Sequence, residues 1–262
     1  MNGGVKRRTL VMVAGFNQPP SDCDHLFKGR DGIPGLEAYG FECITFDREV
    51  ARLRERIDRF AEFLTILRSE RPDSGPFVLA GYSLGGLVVR GFLRAYPERS
   101  HEVDCTAMIA APNWGLSTAG GKQLAQVLGV PDRGMDDLDL DSDFMRWLNG
   151  TGGHWENGVW ILDAEPWVGP PGARLLTIQG LIPARGGDND GLVWGDSSTL
   201  GSRIPAQFII GRHCNHMNVI GNFDPLVFAL KQFVVNNRVW PHTVRAIARL
   251  AGVTQPLAHA AV

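Results

Sequence analysis

The chain has 262 residues, of which 44% are hydrophobic, enough for one sizeable core or at most two small ones. Charged residues make up 21% of the sequence, the formal net charge is −2 and the pI is near 6.4. This balance excludes a strongly basic nucleic-acid-binding surface and a polybasic membrane anchor. We therefore expect no nucleic-acid partner.

The N-terminus combines basic residues with a short apolar stretch at positions 10–14. That stretch is too short for the core of a signal peptide and has no small-residue cleavage site after it, which favours a buried first strand. No window reaches the length of a transmembrane helix. Of the four cysteines, Cys43 and Cys105 lie in predicted strands, which favours buried free thiols. We expect a cytoplasmic protein without an integral membrane segment.

Apolar runs alternate with helical patterns along most of the chain. Strands are predicted at 9–15, 40–47, 76–82, 103–112, 173–180 and 206–211, and helices at 50–70, 84–97, 224–237 and 243–252. This alternation predicts an α/β protein with a mostly parallel sheet of about six strands flanked by helices. Seven arginines between Arg48 and Arg71 alternate with acidic residues, and we expect them to form the solvated face of the helix at 50–70.

Residues 113–172 break this alternation. They contain five of the seven tryptophans, many glycines, and two predicted helices at 117–129 and 141–149. We interpret the segment as a lid or cap insertion within a single domain spanning residues 1–262. Tryptophans suit the wall of an acyl pocket because they supply large apolar area, and we favour this interpretation over the alternative that they only build a small core of the insertion. The candidates for contact with substrate are Trp114 and Trp194.

Residues 81–86 read GYSLGG and follow a predicted strand directly. In a Gly-x-Ser-x-Gly turn between a strand and a helix, the serine hydroxyl projects above the sheet. The glycines avoid clashes with the neighbouring strand and helix. This context favours Ser83 as a nucleophile over Ser83 as a plain turn residue.

A nucleophilic serine needs a base and an acid that orients it, which follow in the chain order serine, acid, histidine in this kind of sheet. His213 and His216 come after the last predicted strand, and the position of NHMNVI before the final helix favours His216. Asp190, within GGDNDGLVWGDSS, is the best candidate for the acid. Asp188 and Asp196 compete with it, and any of the three could only cap a turn.

Stabilising a developing oxyanion requires two backbone amides. The residue after the nucleophile, Leu84, would supply one. Phe16, in the loop after the first strand, would supply the other. The sequence GFNQPP is also compatible with a simple Gly/Pro loop.

Five segments together resemble the α/β-hydrolase superfamily, and within it the bacterial triacylglycerol lipases and related esterases: VMVAGF, GYSLGGLVVRGFLRAYP, IAAPNWG, GDNDGLVWGDSS and NHMNVI. The resemblance implies Ser83 as nucleophile, Asp190 as acid, His216 as base and the amides of Phe16 and Leu84 as the oxyanion hole. The chain departs from these lipases at Ala14, where many of them have histidine.

We expect no metal and no other cofactor. Asn218 stands where some of these lipases have a calcium-binding aspartate, and an amide is a weaker ligand for that ion. The acidic run at 135–144 lacks the glycine and terminal glutamate of an EF-hand loop.

The expected function is that of a serine hydrolase that cleaves carboxylic esters through an acyl-enzyme intermediate, with a small-molecule ester or acyl substrate. The alternative is a thioesterase, a lactonase or an acyltransferase that acts on a specialised metabolite, because the same three residues serve all of these reactions. A binding module that has lost its activity is disfavoured, since suitable residues occupy all three positions in the right order.

Overall fold

The computed structural model describes residues 7–15, 19–47, 52–117, 136–184, 187–189, 193, 197–198, 200, 206–212 and 240–257, with 180–184, 187–189 and 206–212 described by their backbone. The predicted helix at 224–237 lies outside these ranges. So does the predicted helix at 117–129, except for its first residue.

A seven-stranded sheet forms the centre of the described structure. Its strands are β1 Arg8–Val13, β4 Phe41–Phe46, β5 Phe77–Tyr82, β6 Val103–Ile109, β9 Leu175–Ala184, β10 Gly187–Asn189 and β11 Ala206–Arg212. The parallel strands lie in the spatial order β4, β1, β5, β6, β9, β11, and β10 pairs antiparallel with the end of β9. All six predicted strands are confirmed, and six strands of the sheet are parallel.

Two short hairpins accompany the sheet. Strands β2 (Gly29–Arg30) and β3 (Ile33–Pro34) form one, and β7 (Gly153–Glu156) and β8 (Val159–Leu162) form the other. The second hairpin lies in the insertion, where the sequence pattern predicted no strand.

The described helices are α1 Asp24–Lys28, α2 Leu53–Glu70, α3 Leu84–Ala95, α4 Asp143–Asn149 and α5 Trp240–Leu250. Short 3-10 helices occur at Pro20–Cys23, Leu36–Tyr39, Pro97–Glu102 and Asp136–Leu138. Among the described residues, no helix is long and apolar enough to cross a membrane.

Apolar side chains cover both faces of the sheet, as expected for a parallel sheet between two helical layers. Strand β1 is an example: Val11 and Val13 belong to the core cluster that contains α2, α3 and α4. Leu10 and Met12 point to the opposite cluster, which contains α1 and α5. The continuous apolar run therefore follows from burial on both faces.

The described part of the insertion packs against the face that α2 and α3 cover. Trp147 lies under the guanidinium groups of Arg54 and Arg94, and Trp155 packs edge-on against Trp160 within the hairpin. These contacts agree with the interpretation of the tryptophans as packing residues. A tryptophan-rich lid is not confirmed and stays a prediction.

Asp137 joins this insertion to the start of α2. Its side chain accepts a hydrogen bond from the backbone N–H of Leu53, the first residue of α2, at 2.9 Å. The first N–H groups of a helix have no acceptor within the helix, so a carboxylate here stabilises the helix start. The insertion therefore holds α2 at the end nearest the loop that follows β1.

Candidate active site

The carboxyl ends of three neighbouring strands meet at one edge of the sheet. In the parallel register, Val13 pairs with Gly81, and Tyr82 pairs with Ile109. The backbone N–H of Ser83 then donates to the carbonyl oxygen of Ile109 at 2.8 Å. Ser83 is therefore placed at the carboxyl edge, where α/β sheets bind their ligands.

Ser83 adopts a backbone conformation that is rare for a residue with a side chain. Its φ is 53° and its ψ is −122°, and its residue surface is 5% exposed. The chain changes from β5 to α3 at this single residue. Such conformations cost about 1–3 kcal/mol and cluster at functional sites. The prediction of a sharp strand-to-helix turn at Ser83 is confirmed.

The glycines on either side of Ser83 are required by close backbone approach. A Cβ atom at Gly81 would lie within 3.0 Å of the carbonyl oxygen of Gly85. A Cβ atom at Gly85 would lie within 3.0 Å of the carbonyl oxygens of Val13 and Ala14. The first turn of α3 therefore packs directly on the end of β1.

Leu84 is the first residue of α3, and the carbonyl oxygen of Ser83 already accepts from the N–H of Gly86 at 3.0 Å. The N-terminus of a helix presents N–H groups and a partial positive charge to its surroundings. The loop after β1, which begins at Ala14 and Gly15, lies beside this turn. The two elements predicted to supply the oxyanion hole are therefore adjacent.

Arg56, in the first turn of α2, contacts the same loop. Its residue surface is 2% exposed, and Nη2 donates to the carbonyl oxygens of Ala14 at 2.8 Å and Gly15 at 3.3 Å. Our expectation that the arginines of this helix are solvated is wrong at Arg56. The helix turns this position towards the backbone of the loop, and the guanidinium replaces water with carbonyl acceptors.

The remaining predicted site residues lie outside the described residues: Phe16, Asp190, Trp194 and His216, with the alternatives Asp196 and His213. Asp188 lies in β10, where the backbone alone is described. Trp114 is described, and its side chain is partly buried against the core cluster that contains α3. The assignment of acid, base and second oxyanion donor therefore stays a prediction.

Several solved structures have a similar backbone. The mature lipase BlEst2 of Bacillus licheniformis has a TM-score of 0.58 and 18% identity, covering 87% of this chain and 93% of that one. A metagenomic carboxyl esterase has a TM-score of 0.58 and 17% identity, covering 95% of this chain and 75% of that one. A soluble variant of monoglyceride lipase from Saccharomyces cerevisiae, in complex with a substrate analogue, has a TM-score of 0.61 and 13% identity, covering 97% of this chain and 90% of that one.

The chain has the α/β-hydrolase fold. The parallel sheet, the turn at Ser83 and these structural matches agree on it. No protein-family model matches the sequence, and no curated protein matches it either.

In this α/β-hydrolase fold, the segment after β6 contacts two residues that follow Asp190 in the sequence. The side-chain amide of Asn113 donates to the carbonyl oxygen of Ser198 at 3.2 Å. The backbone N–H of Trp114 donates to Oγ of Ser197 at 2.9 Å. The sequence did not predict these contacts. It showed only that Asn113 lies in the segment IAAPNWG, directly after a predicted strand.

Arg90 on α3 connects the same region to the insertion. It is 1% exposed and donates to the carbonyl oxygen of Asn113 at 3.0 Å, to Oδ1 of Asn149 at 3.0 Å and to the carbonyl oxygen of Trp167. Burial lowers the pKa of Arg90, and the charge of Arg94 lowers it further. Three neutral acceptors therefore receive hydrogen bonds from Nη1 and Nη2, whereas Nε has no hydrogen-bond partner among the described residues.

A cavity of about 180 Å³ lies at the opposite edge of the sheet, near His101 and the starts of β6 and β9. It is remote from Ser83, and we assign no role in chemistry to it. Within the described ranges, no three His, Cys, Asp or Glu residues come together as a metal site.

Proposed function

We propose that the protein is a serine hydrolase that cleaves carboxylic esters. Ser83 is the nucleophile, His216 the general base and Asp190 the acid that orients it, with the backbone amides of Phe16 and Leu84 as oxyanion donors. The observation that carries the proposal is the backbone of Ser83, at φ 53° between β5 and α3. Lipases and esterases among the structures with this fold are consistent with it.

The reaction proceeds in two steps. His216 removes the proton of Ser83 while the serine oxygen attacks the ester carbonyl, and the oxyanion receives hydrogen bonds from the two amides. The C–O bond to the alcohol breaks as His216 returns the proton to it, which leaves an acyl-enzyme. Water, deprotonated by the same histidine, then attacks the acyl carbon and releases the acid and Ser83.

The physical argument for Ser83 is that its strained conformation has no structural explanation in the turn itself. A glycine would adopt the same φ without a Cβ penalty, and glycines already occupy positions 81, 85 and 86. A serine in this place is better explained by its hydroxyl. The partial positive charge at the start of α3 would stabilise the negative charge that develops on the attacked carbonyl.

The test is hydrolysis of nitrophenyl esters from acetate to long acyl chains by the wild type, Ser83→Ala and Ser100→Ala. We expect Ser83→Ala to lose activity by roughly 10⁴-fold or more and Ser100→Ala to keep it. A fluorophosphonate should label the wild type at Ser83 in a one-to-one ratio. Activity that survives Ser83→Ala would refute the assignment of the nucleophile.

The same series separates the two classes of reaction. Preference for esters over matched thioesters, with water as acceptor, supports the ester hydrolase. Faster turnover of a thioester, a lactone or an added alcohol acceptor would move the protein to the alternative class while leaving Ser83 as the nucleophile.

A further inference from the structure

We infer that Asn113 is a positioning residue that holds the loop carrying the catalytic acid against the helix that follows the nucleophile. The inference rests on the proposed function, in which Asp190 is that acid. Asn113 does not act on the substrate. It acts through the segment after Asp190.

Asn113 is 0% exposed and lies four residues after the end of β6. Its Nδ2 donates to the carbonyl oxygens of Ala111 at 3.3 Å and Ser198 at 3.2 Å. Both neighbours are acceptors, so the amide must turn its NH₂ group towards them. One buried side chain therefore connects the exit of β6 to the segment at 197–198.

The same residue is held from the other side by α3. Nη1 of Arg90 donates to the backbone carbonyl oxygen of Asn113 at 3.0 Å. Ser83 directly precedes α3 and Arg90 lies in its second turn, so the helix that begins after the nucleophile also holds Asn113. The connection from α3 through Asn113 to Ser198 is continuous and buried.

The segment after Asp190 returns to the protein core at several points. Val193 is buried three residues after Asp190, and Leu200 is fully buried with a φ of 56°. Between them, Ser197 accepts from the N–H of Trp114 and Ser198 accepts from Asn113. These contacts hold residues 197 and 198 against the residues that follow β6.

A catalytic acid must hold the imidazole of the base in one orientation, and small misplacements of catalytic groups cost large factors in rate. Loss of the Asn113 side-chain amide would remove one of the two described hydrogen bonds that join the 197–198 segment to the residues after β6. Because Asn113 is proposed to act through the loop of the acid and not on the substrate, we expect the effect on kcat rather than on KM.

The experiment compares Asn113→Leu with Asn149→Leu. Both asparagines are buried and both contact Arg90, but only Asn113 contacts the 197–198 segment. Thermal stability, hydrogen exchange of the peptide containing Ser197 and Ser198, and kcat and KM for one nitrophenyl ester are measured for both. Ser197→Ala is a milder third variant that removes one hydrogen-bond acceptor without adding volume.

We expect both leucine variants to be less stable. Only Asn113→Leu should exchange faster at 197–198 and lose kcat by roughly 10- to 100-fold, with KM within about twofold of the wild type. Ser197→Ala should change in the same direction by a smaller factor, which keeps the test informative if Asn113→Leu does not fold.

Equal losses of kcat in Asn113→Leu and Asn149→Leu would overturn the inference, because a general loss of packing would then explain both. Unchanged kcat in Asn113→Leu and Ser197→Ala would overturn it too. A wild type that hydrolyses no ester and is not labelled by fluorophosphonate refutes the proposed function itself, and the role of Asn113 fails with it.

Discussion

Nη2 of Arg56 lies 2.8 Å from the carbonyl oxygen of Ala14, so a buried guanidinium in α2 holds the backbone of the loop that follows β1. The next carbonyl, that of Gly15, lies 3.3 Å from the same nitrogen. This loop is the predicted source of one oxyanion donor. A residue that sequence reasoning placed on a solvated face is therefore part of the support of the candidate site.

We expect Arg56→Met to lower the free energy of unfolding by about 1–3 kcal/mol, because buried carbonyl oxygens lose a charged donor. It should also lower kcat by roughly 10- to 100-fold if the loop carries an oxyanion donor. Urea unfolding and ester hydrolysis check both effects. The control is Arg59→Met, in the next turn of α2, where the side chain is exposed and pairs with Glu62. Arg56→Met with full activity would contradict a role of this arginine at the site.

Gly85→Ala should be strongly destabilising, because its Cβ would overlap the backbone carbonyl oxygens of Val13 and Ala14. Backbone atoms of a central strand cannot move away as a flexible side chain can, so we expect a loss of about 1–3 kcal/mol or more. The matched control is Gly75→Ala, since nothing lies within 4 Å of the added Cβ there. Thermal unfolding of both variants tests this, and equal stabilities would show that α3 does not pack on β1 as described.

Ser83→Gly should be more stable than Ser83→Ala, although both lack the nucleophile. Alanine keeps the Cβ strain at a φ of 53°, whereas glycine removes it. At Ser100, in the 3-10 helix Pro97–Glu102, the order should reverse, because glycine there only adds flexibility to the unfolded chain. Melting temperatures of the four variants provide the test, and the same order at both positions would argue against strain at Ser83.

The three described cysteines, of which Cys23 and Cys105 are buried and Cys43 is partly buried, should resist alkylation in the folded protein. Burial raises the pKa of Cys23 and of Cys105 from 9.0 to about 12, with nearby aspartates adding to the increase, and burial also raises the pKa of Cys43. At pH 8 the native thiolate is then scarcer than in the unfolded chain. Iodoacetamide labelling followed by peptide mapping should find these three sites unmodified until denaturant is added.

The raised pKa values of these thiols also determine how the free energy of unfolding depends on pH. Above pH 9 the thiols of the unfolded chain lose protons while those of the native chain keep them, so the free energy of unfolding falls as the pH rises from 9 towards 12. Cys105→Ala should reduce this slope. An unchanged slope, or rapid native labelling of Cys105, would contradict the burial of this thiol.

Much of the fold could be predicted from local patterns. An apolar run predicts a strand that is buried on both faces, and the motif GYSLGG predicts the turn from strand to helix at Ser83. The structure has both close to their predicted bounds. The β7–β8 hairpin was missed. Its exposed positions include the apolar residues Trp155, Val159 and Ile161. The sequence of the hairpin therefore lacks the alternation of apolar and polar residues that marks a half-buried strand.

Some residues of the candidate site could be predicted from the sequence and others could not. Chain order and motif proposed Ser83, Asp190 and His216, of which Ser83 lies at the expected turn and the other two stay predictions. Arg56 and Asn113 could not be proposed, because no local pattern says which carbonyl oxygen a buried side chain will meet.

The sequence by itself determined the α/β class, the order of the strands along the chain and the turn at Ser83, since periodicity and glycine spacing act over a few neighbouring residues. Only the tertiary structure decided that Arg56 binds the loop after β1 and that Asn113 joins α3 to the 197–198 segment. Those contacts join residues that lie 42, 23 and 85 positions apart, and the packing of helices on the sheet brings them together.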